Sequence, residues 1–244
     1  EEYMLKQSEY FTVETNKHAQ ILRSSKNGLS EKMEVIPCCV DIKKFYRPFE
    51  PDNSNANKKF NLTYLGKVGT WYLLGEMLDF FNVVSGLIPN ACFTFMTHDE
   101  PESIYSLAKD KGIDASKIAV RALKMQEIPD ALKESQAGIF FINPYKRYNS
   151  SPIKFGEYLA SGMPVIINSG IGDCDDIVLR EKVGVVVSDF SSGVYEKAIK
   201  ELNGLFSEGE ALRERCRSTA EKYFSLEMGI EKYRNIYIRL AGEK

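Results

Sequence analysis

From residue 60 onward, short apolar runs alternate with stretches whose apolar positions recur every three or four residues. FNLTYLG, ACFTFMT, SKIAVRAL, AGIFFIN, MPVIIN and VGVVVSD read as strands. TWYLLGEMLDFFNVVSGL, ESIYSLAKDKG, MQEIPDALKES, SPIKFGEYLASG, DCDDIVLREK and SSGVYEKAIKELNGLF read as the helices between them. Strands that alternate with helices argue for βαβ units and a parallel sheet. Runs such as GIFFI and PVII are apolar without alternation, as expected of strands covered on both faces. Right-handed crossovers place helices on both sides. The predicted fold class is therefore α/β, a Rossmann-like doubly wound parallel sheet with helices on both faces. Ahead of it, YFTVET, NKHAQILRSS and MEVIPCCV read as strand, helix and strand. The following DIKKFYRPFEPDNSNANKK is rich in Pro, Asn and Lys and reads as a linker at a domain boundary. Two helices, ALRERCRSTAEKYF and SLEMGIEKYRNIYIRL, close the chain.

In such sheets a ligand sits at the carboxyl ends of the strands, where strand order reverses. That directs attention to the loops at 66–70, 97–99, 123–125, 143–151 and 169–173. The first loop, Gly66-Lys67-Val68-Gly69, carries neither a G-x-G-x-x-G fingerprint nor a G-x-x-x-x-G-K-[ST] phosphate loop. No G-x-S-x-G elbow is present either. What remains is a set of anion-binding parts. Lys67 follows a strand. The helix starting near Ser151-Pro152 offers free N–H groups and a positive dipole end, with Lys146, Arg147 and Lys154 close by. Glu157, about one and a half turns inside that helix, is placed to accept hydrogen bonds from vicinal hydroxyls such as those of a ribose. Gly170 and Gly172 permit close approach of a loop to a ligand. Each has a plainer alternative: a solvated lysine, an exposed helix acid, an ordinary turn. Trp71 reads as a core or staple residue at a helix start, not as a sugar platform. His98 and Asp99 are adjacent in sequence and do not read as a facing acid–base pair.

Composition narrows the picture. A net charge of −2 gives no global basic field for nucleic acid. No apolar run reaches the roughly 18 residues that span a bilayer, and the opening EEYMLKQSEY does not resemble a signal peptide. Five cysteines without C-x-x-C spacing and only two histidines read as reduced thiols of a cytoplasmic protein without a zinc site. The sequons at Asn61 and Asn149 are discounted for the same compartment.

VIPCCVD at 35–41, YLG-K at 64–67, SPIKFGEYLASGMPVI at 151–166 and the closing FSLEMGIEKYRNIYIRL together resemble the retaining GT-B glycosyltransferases of family 4, which build bacterial surface polysaccharides and glycolipids. Their usual forms are V-I-P-N-G-V-D, a G-R-L loop, and E-x7-E within E-A-M-A-x-G-x-P-V-I. The resemblance implies two Rossmann-like domains, of which this chain holds the donor-binding one. Residues 1–45 would be a remnant of the N-terminal domain with its linker, 46–224 the nucleotide-sugar domain, and 225–244 a helix crossing back. Such a piece would be inactive alone. The full-length protein would take a carbohydrate or lipid-linked acceptor through its other domain, in the cytoplasm, as a peripheral protein at the inner face of the membrane.

By position, the resemblance puts Glu157 on the ribose hydroxyls and Asn149 where the first acid of E-x7-E stands. An amide there keeps hydrogen bonding and loses the charge. Lys67 takes the place of the diphosphate-binding arginine, beside Gly66. The second cation falls near Trp71 and Tyr72 and is missing, with Lys154 or Arg147 to compensate. Leu123 and Met125 match the segment whose backbone reads the base. Ser151 and Pro152 match the phosphate-facing helix start, and Gly170 the G-G-x-P-E loop. The implied reaction is retaining transfer from a UDP- or GDP-type sugar to a hydroxyl, catalysed electrostatically, without cofactor or metal. A nucleotide-sugar 2-epimerase, a non-catalytic nucleotide-sugar-binding module or partner subunit, and a Rossmann-type oxidoreductase are the competing readings.

Overall fold

The computed structural model describes residues 7–24, 32–45, 59–143, 145 and 147–242. Lys146 and residues 46–58 of the linker lie outside the described residues. Six strands form one parallel sheet: β3 (Phe60–Leu65), β4 (Ala91–Met96), β5 (Ile118–Arg121), β6 (Ala137–Phe140), β7 (Val165–Asn168) and β8 (Gly184–Val187). Their order is β5-β4-β3-β6-β7-β8, and every pairing is parallel. Chain order reverses between β3 and β6, so the crevice for a ligand lies beyond the carboxyl ends of those two strands.

The helices that cover the sheet are α2 (Leu74–Leu87), α3 (Pro101–Asp110), α4 (Ile128–Leu132), α5 (Ile153–Ala160), α6 (Cys174–Glu181), α7 (Ser192–Phe206) and α8 (Glu210–Phe224). Covered on both faces, β4, β6 and β7 are buried at every position. That is why they read as unbroken apolar runs. Phe80, Phe93, Phe140, Tyr158 and Tyr195 are among the largest fully buried side chains of the core. Gly138 on β6 is dictated by packing. A Cβ there would lie 2.3–2.6 Å from the ring of Tyr158, which crosses the strand from α5.

Residues 7–45 add β1 (Phe11–Val13), a helix α1 (Asn16–Ser24) and β2 (Met33–Val35), with β1 parallel to β2 and a small core of Val13, Ala19 and Met33. This unit is tied to the sheet domain at several points. The Asp173 carboxylate accepts the backbone N–H of Asn16 at 2.6 Å and of Lys17 at 3.0 Å, capping α1 from a distant loop. Ser151 Oγ accepts the Cys38 amide at 3.1 Å. The last helix, α9 (Leu226–Gly242), packs on the unit, with Lys232 Nζ 2.8 Å from Glu34 and 2.7 Å from the Val35 carbonyl. Gly229 is pressed so close that a Cβ would stand 2.5 Å from Cys39 Sγ. All five cysteines are free. Among the described residues no helix is long and apolar enough to cross a membrane.

The structure departs from the periodicity in one place that matters. The helix expected from Thr70 starts at Leu74. Residues 69–73 instead pair with the continuation of β6: Tyr72 bridges Ile142, the Asn143 amide donates to the Trp71 carbonyl at 2.9 Å, and the Leu73 amide to that of Phe141 at 2.9 Å. Those backbone bonds replace the first turn of helix. Trp71 is consequently not a core residue: it is 55% exposed.

Candidate functional site

The carboxyl end of β3 is built around Gly66, whose φ of +109° and amide bond to the Met96 carbonyl (2.9 Å) turn the chain sharply out of the sheet. Just before it, the buried Leu65 amide donates to Tyr158 Oη at 2.7 Å, so a side chain of α5 steers the strand end. Lys154, also on α5, points to the same place. Its Nζ donates to Tyr64 Oη at 3.1 Å and lies 3.5 Å from the ring centre of Tyr72 and 4.2 Å from that of Tyr64. A Cβ on Gly66 would stand 3.2 Å from that Nζ. Tyr64 Oη in turn donates to the Lys67 carbonyl. One lysine thus organises the whole turn.

Lys154 is only 5% exposed. Burial pushes its ammonium down to about 7, while the charge of Glu157 works in the opposite direction. The faces of two tyrosine rings also favour the cation. Burial likewise pushes the Glu157 carboxyl up, opposed by Lys154. Glu157 is half-buried, and its carboxylate has no hydrogen-bond partner among the described residues. Lys67 is exposed and forms no ion pair among the described residues.

Two cavities open beside this turn. The first, about 340 Å³, is lined by Leu65, Gly66 and Lys67, by 96–99 after β4, and by Leu123, Met125 and Ile128 after β5. His98 closes one side: its Nε2 donates to the Leu123 carbonyl at 2.9 Å. Asp99 instead accepts the Val68 amide and the Thr97 hydroxyl, so the two adjacent residues do not pair. The second cavity, about 290 Å³, is lined by Glu14, Trp71, Tyr72, Ile142, Arg147 and the segment 149–152 at the start of α5. Lys154 sits at the junction, against Gly66 of the first and Tyr72 of the second. A larger space of about 550 Å³ lies between residues 14–37 and α6, α8 and α9. Its bases are engaged in ion pairs: Lys17 with Asp175, Lys222 with Glu181 and Lys232 with Glu34.

The residues singled out by sequence therefore fall into groups. Gly66, Lys67, Leu123 and Met125 line the first cavity; Arg147, Asn149, Ser151 and Pro152 line the second. Lys154, Glu157 and Gly170 line neither, but Lys154 packs behind both, against Gly66 of the first and Tyr72 of the second. Pro152 caps α5, and no side chain takes up the helix's first amides. Gly170 is exposed, with φ +86° and an amide 3.3 Å from Asp175 Oδ2. Its neighbour Gly172 does the packing: a Cβ there would lie 2.0 Å from the Ser150 carbonyl oxygen. Lys154 lies near the helix start as its position in the sequence implies, but its burial against Tyr64 and the exposure of Trp71 have no local sequence signature. Among the described residues no cluster of three or more His, Cys, Asp or Glu could hold a metal ion.

A six-stranded parallel sheet flanked by helices, with its crevice at the β3–β6 reversal, matches the domains of GT-B glycosyltransferases. The more particular likeness lies in the second half: residues 124–202 match the family model described as glucosyltransferase 3-like, C-terminal domain. Among solved structures, sucrose-phosphate synthase from Thermosynechococcus elongatus superimposes with a TM-score of 0.75 at 16% identity, covering 99% of this chain and 61% of that one. A glycosyltransferase from Rickettsia africae gives 0.73 at 16% identity, covering 99% and 65%. HepE from Anabaena, solved in complex with UDP and glucose, gives 0.67 at 10% identity, covering 93% and 62%. The chain thus spans less than two thirds of the length of each. No curated protein sequence matches it.

Proposed function

We propose that this chain is the donor-binding half of a retaining glycosyltransferase that uses a nucleoside diphosphate sugar, with residues 46–224 as the donor domain. The observation that carries the reading is the pair of lysines at the strand-order reversal. Lys67 has no ion-pair partner among the described residues, and Lys154 is buried against Gly66 and Tyr72 without a hydrogen-bonded carboxylate. Unneutralised cations in a crevice favour a doubly charged ligand, and a diphosphate leaving group gains from them most as its bond to the sugar breaks. In this reading the first cavity takes the base and the second takes the sugar. Glu157 accepts from the ribose hydroxyls, and Asn149 bonds a sugar hydroxyl. The UDP and glucose held by HepE support a UDP-type donor, and the glucosyltransferase-like model supports a hexose. The acceptor, a carbohydrate or lipid-linked hydroxyl at the inner membrane face, would enter between this domain and a further one carrying residues 1–45 and met by 225–244. No cofactor or metal is assigned a role.

Calorimetric titration with UDP, GDP and NAD tests the reading. One nucleoside diphosphate binds, NAD does not, and Lys67→Ala abolishes the heat. Glu157→Ala weakens that binding by roughly 1–3 kcal/mol, the scale of a hydrogen bond to a charged group. Unchanged affinity would remove Glu157 from the site. The loss of charge at Asn149 favours one second reading, a module that binds the donor without transferring it. Sugar transfer by the full-length protein separates the two.

A further inference from the structure

Trp71 is the sole tryptophan of the chain and is exposed, yet it is held firmly. Its carbonyl is bonded to the Asn143 amide, and Tyr72 bridges Ile142. The residue before it, Thr70, has φ +58°, a left-handed conformation that a β-branched side chain adopts only at a cost. A strained turn therefore presents the indole to the second cavity instead of burying it. Over the indole lies the Arg147 guanidinium, its central carbon 3.7 Å from the ring centre. The backbone of Arg147 is fixed as well, its carbonyl accepting the amides of Ser150 at 3.1 Å and Gly172 at 2.9 Å. Arg147 Nε is buried and has no hydrogen-bond partner, and no carboxylate pairs with the guanidinium among the described residues. Glu14 lines the same cavity without reaching it.

A guanidinium stacked by one face keeps its N–H edge for a planar pair of oxygens, which lysine cannot do. We propose that Arg147 is an anion-holding residue of this cavity, for the distal phosphate of a nucleoside diphosphate, and that Trp71 is the positioning residue that presents it. This rests on the donor-site reading above and adds to it a cation from the loop after β6, arranged by an aromatic residue from the loop after β3.

The experiment is calorimetry with UDP, UMP and UDP-glucose on the full chain and on Trp71→Ala, Trp71→Phe, Arg147→Ala and the double alanine variant. Melting temperatures serve as the control, since both side chains lie at the surface of a cavity. The expected result is about a tenfold loss of UDP affinity for each single alanine variant, with UMP affinity unchanged. The double variant is no weaker than Arg147→Ala alone, and Trp71→Phe restores most of the loss. UDP binding that survives Trp71→Ala, or strictly additive losses, would overturn the positioning role. Equal weakening of UMP would make both residues merely structural. A loss confined to UDP-glucose would move Arg147 to the sugar and overturn the distal-phosphate assignment. Failure of the unaltered chain to bind UDP or UMP would instead overturn the donor reading itself, and this assignment with it.

Discussion

Replacing Lys154 by methionine will raise the melting temperature of the protein and weaken nucleoside diphosphate binding in the same variant. The lysine is nearly inaccessible, and burial holds its ammonium near 7 where an unfolded chain titrates near 10.5. Between those values the unfolded chain binds a proton that the folded chain does not. Stability therefore rises with pH across that window, and the burden of Lys154 is complete below about pH 7. The gap corresponds to at most about 5 kcal/mol, which the Tyr64 and Tyr72 faces and the Tyr64 hydroxyl offset in part. Methionine keeps the length and removes the charge. A gain of about 2 kcal/mol is expected at neutral pH, or roughly 4–8 °C in a chain of this size. If Lys154 holds the diphosphate as proposed, the same change removes a charge-assisted bond to it, roughly 10- to 100-fold in affinity. In the unaltered protein, binding a diphosphate at neutral pH takes up a proton at Lys154, so affinity declines as pH rises above 7; in the methionine variant that slope is gone. Scanning calorimetry and titrations in buffers of different ionisation enthalpy check both halves. A lower melting temperature with unchanged binding would show Lys154 to be a structural lysine only.

Gly138→Ala is expected to be the most damaging single methyl group in the sheet. The new Cβ would meet three ring carbons of Tyr158 at 2.3–2.6 Å, and Tyr158 is fully buried with no room to retreat. Overpacking of this kind costs about 1–3 kcal/mol or more. Displacing the ring also leaves the Leu65 amide, which now donates to Tyr158 Oη, buried without a partner, for roughly 1–3 kcal/mol further. Denaturant unfolding should therefore lose about 2–6 kcal/mol. Because Leu65 precedes Gly66, whatever folded protein remains binds nucleotide more weakly. Gly138→Ala combined with Tyr158→Leu, which vacates the collision, recovers part of the stability but not the strand-end geometry. A single variant as stable as the parent would mean that Tyr158 does not cross β6 as described.

The sheet was legible because strands covered on both faces must be apolar at every position, as Ala91–Met96 and Val165–Asn168 are. The strand-end loops followed from that alone. The start of α2 was not legible. TWYLLGEML has helical spacing, but Tyr72 and Leu73 find backbone partners in residues 141–142, which no local pattern records. Trp71 was misread for the same reason. Lys154 carries no local sign of burial either; the tyrosine that receives its hydrogen bond is 90 positions away. Arg147 and Asn149 could be placed near the crevice from the helix start that follows them. Which of them stacks, and on what, depends on the two loops meeting.

The loops that shape the second cavity also seat the N-terminal unit. Thr15 Oγ1 donates to the Tyr148 carbonyl, Ser151 receives the Cys38 amide, and Asp173 caps α1. Seating that unit and filling that cavity are consequently two equilibria that share one set of atoms. Reciprocity then applies. A ligand that orders residues 147–151 tightens the hold on α1 by the same factor by which an intact α1 tightens the hold on the ligand. Asp173→Ala, which removes the cap of α1 without lining the second cavity, would be felt as a loss of affinity.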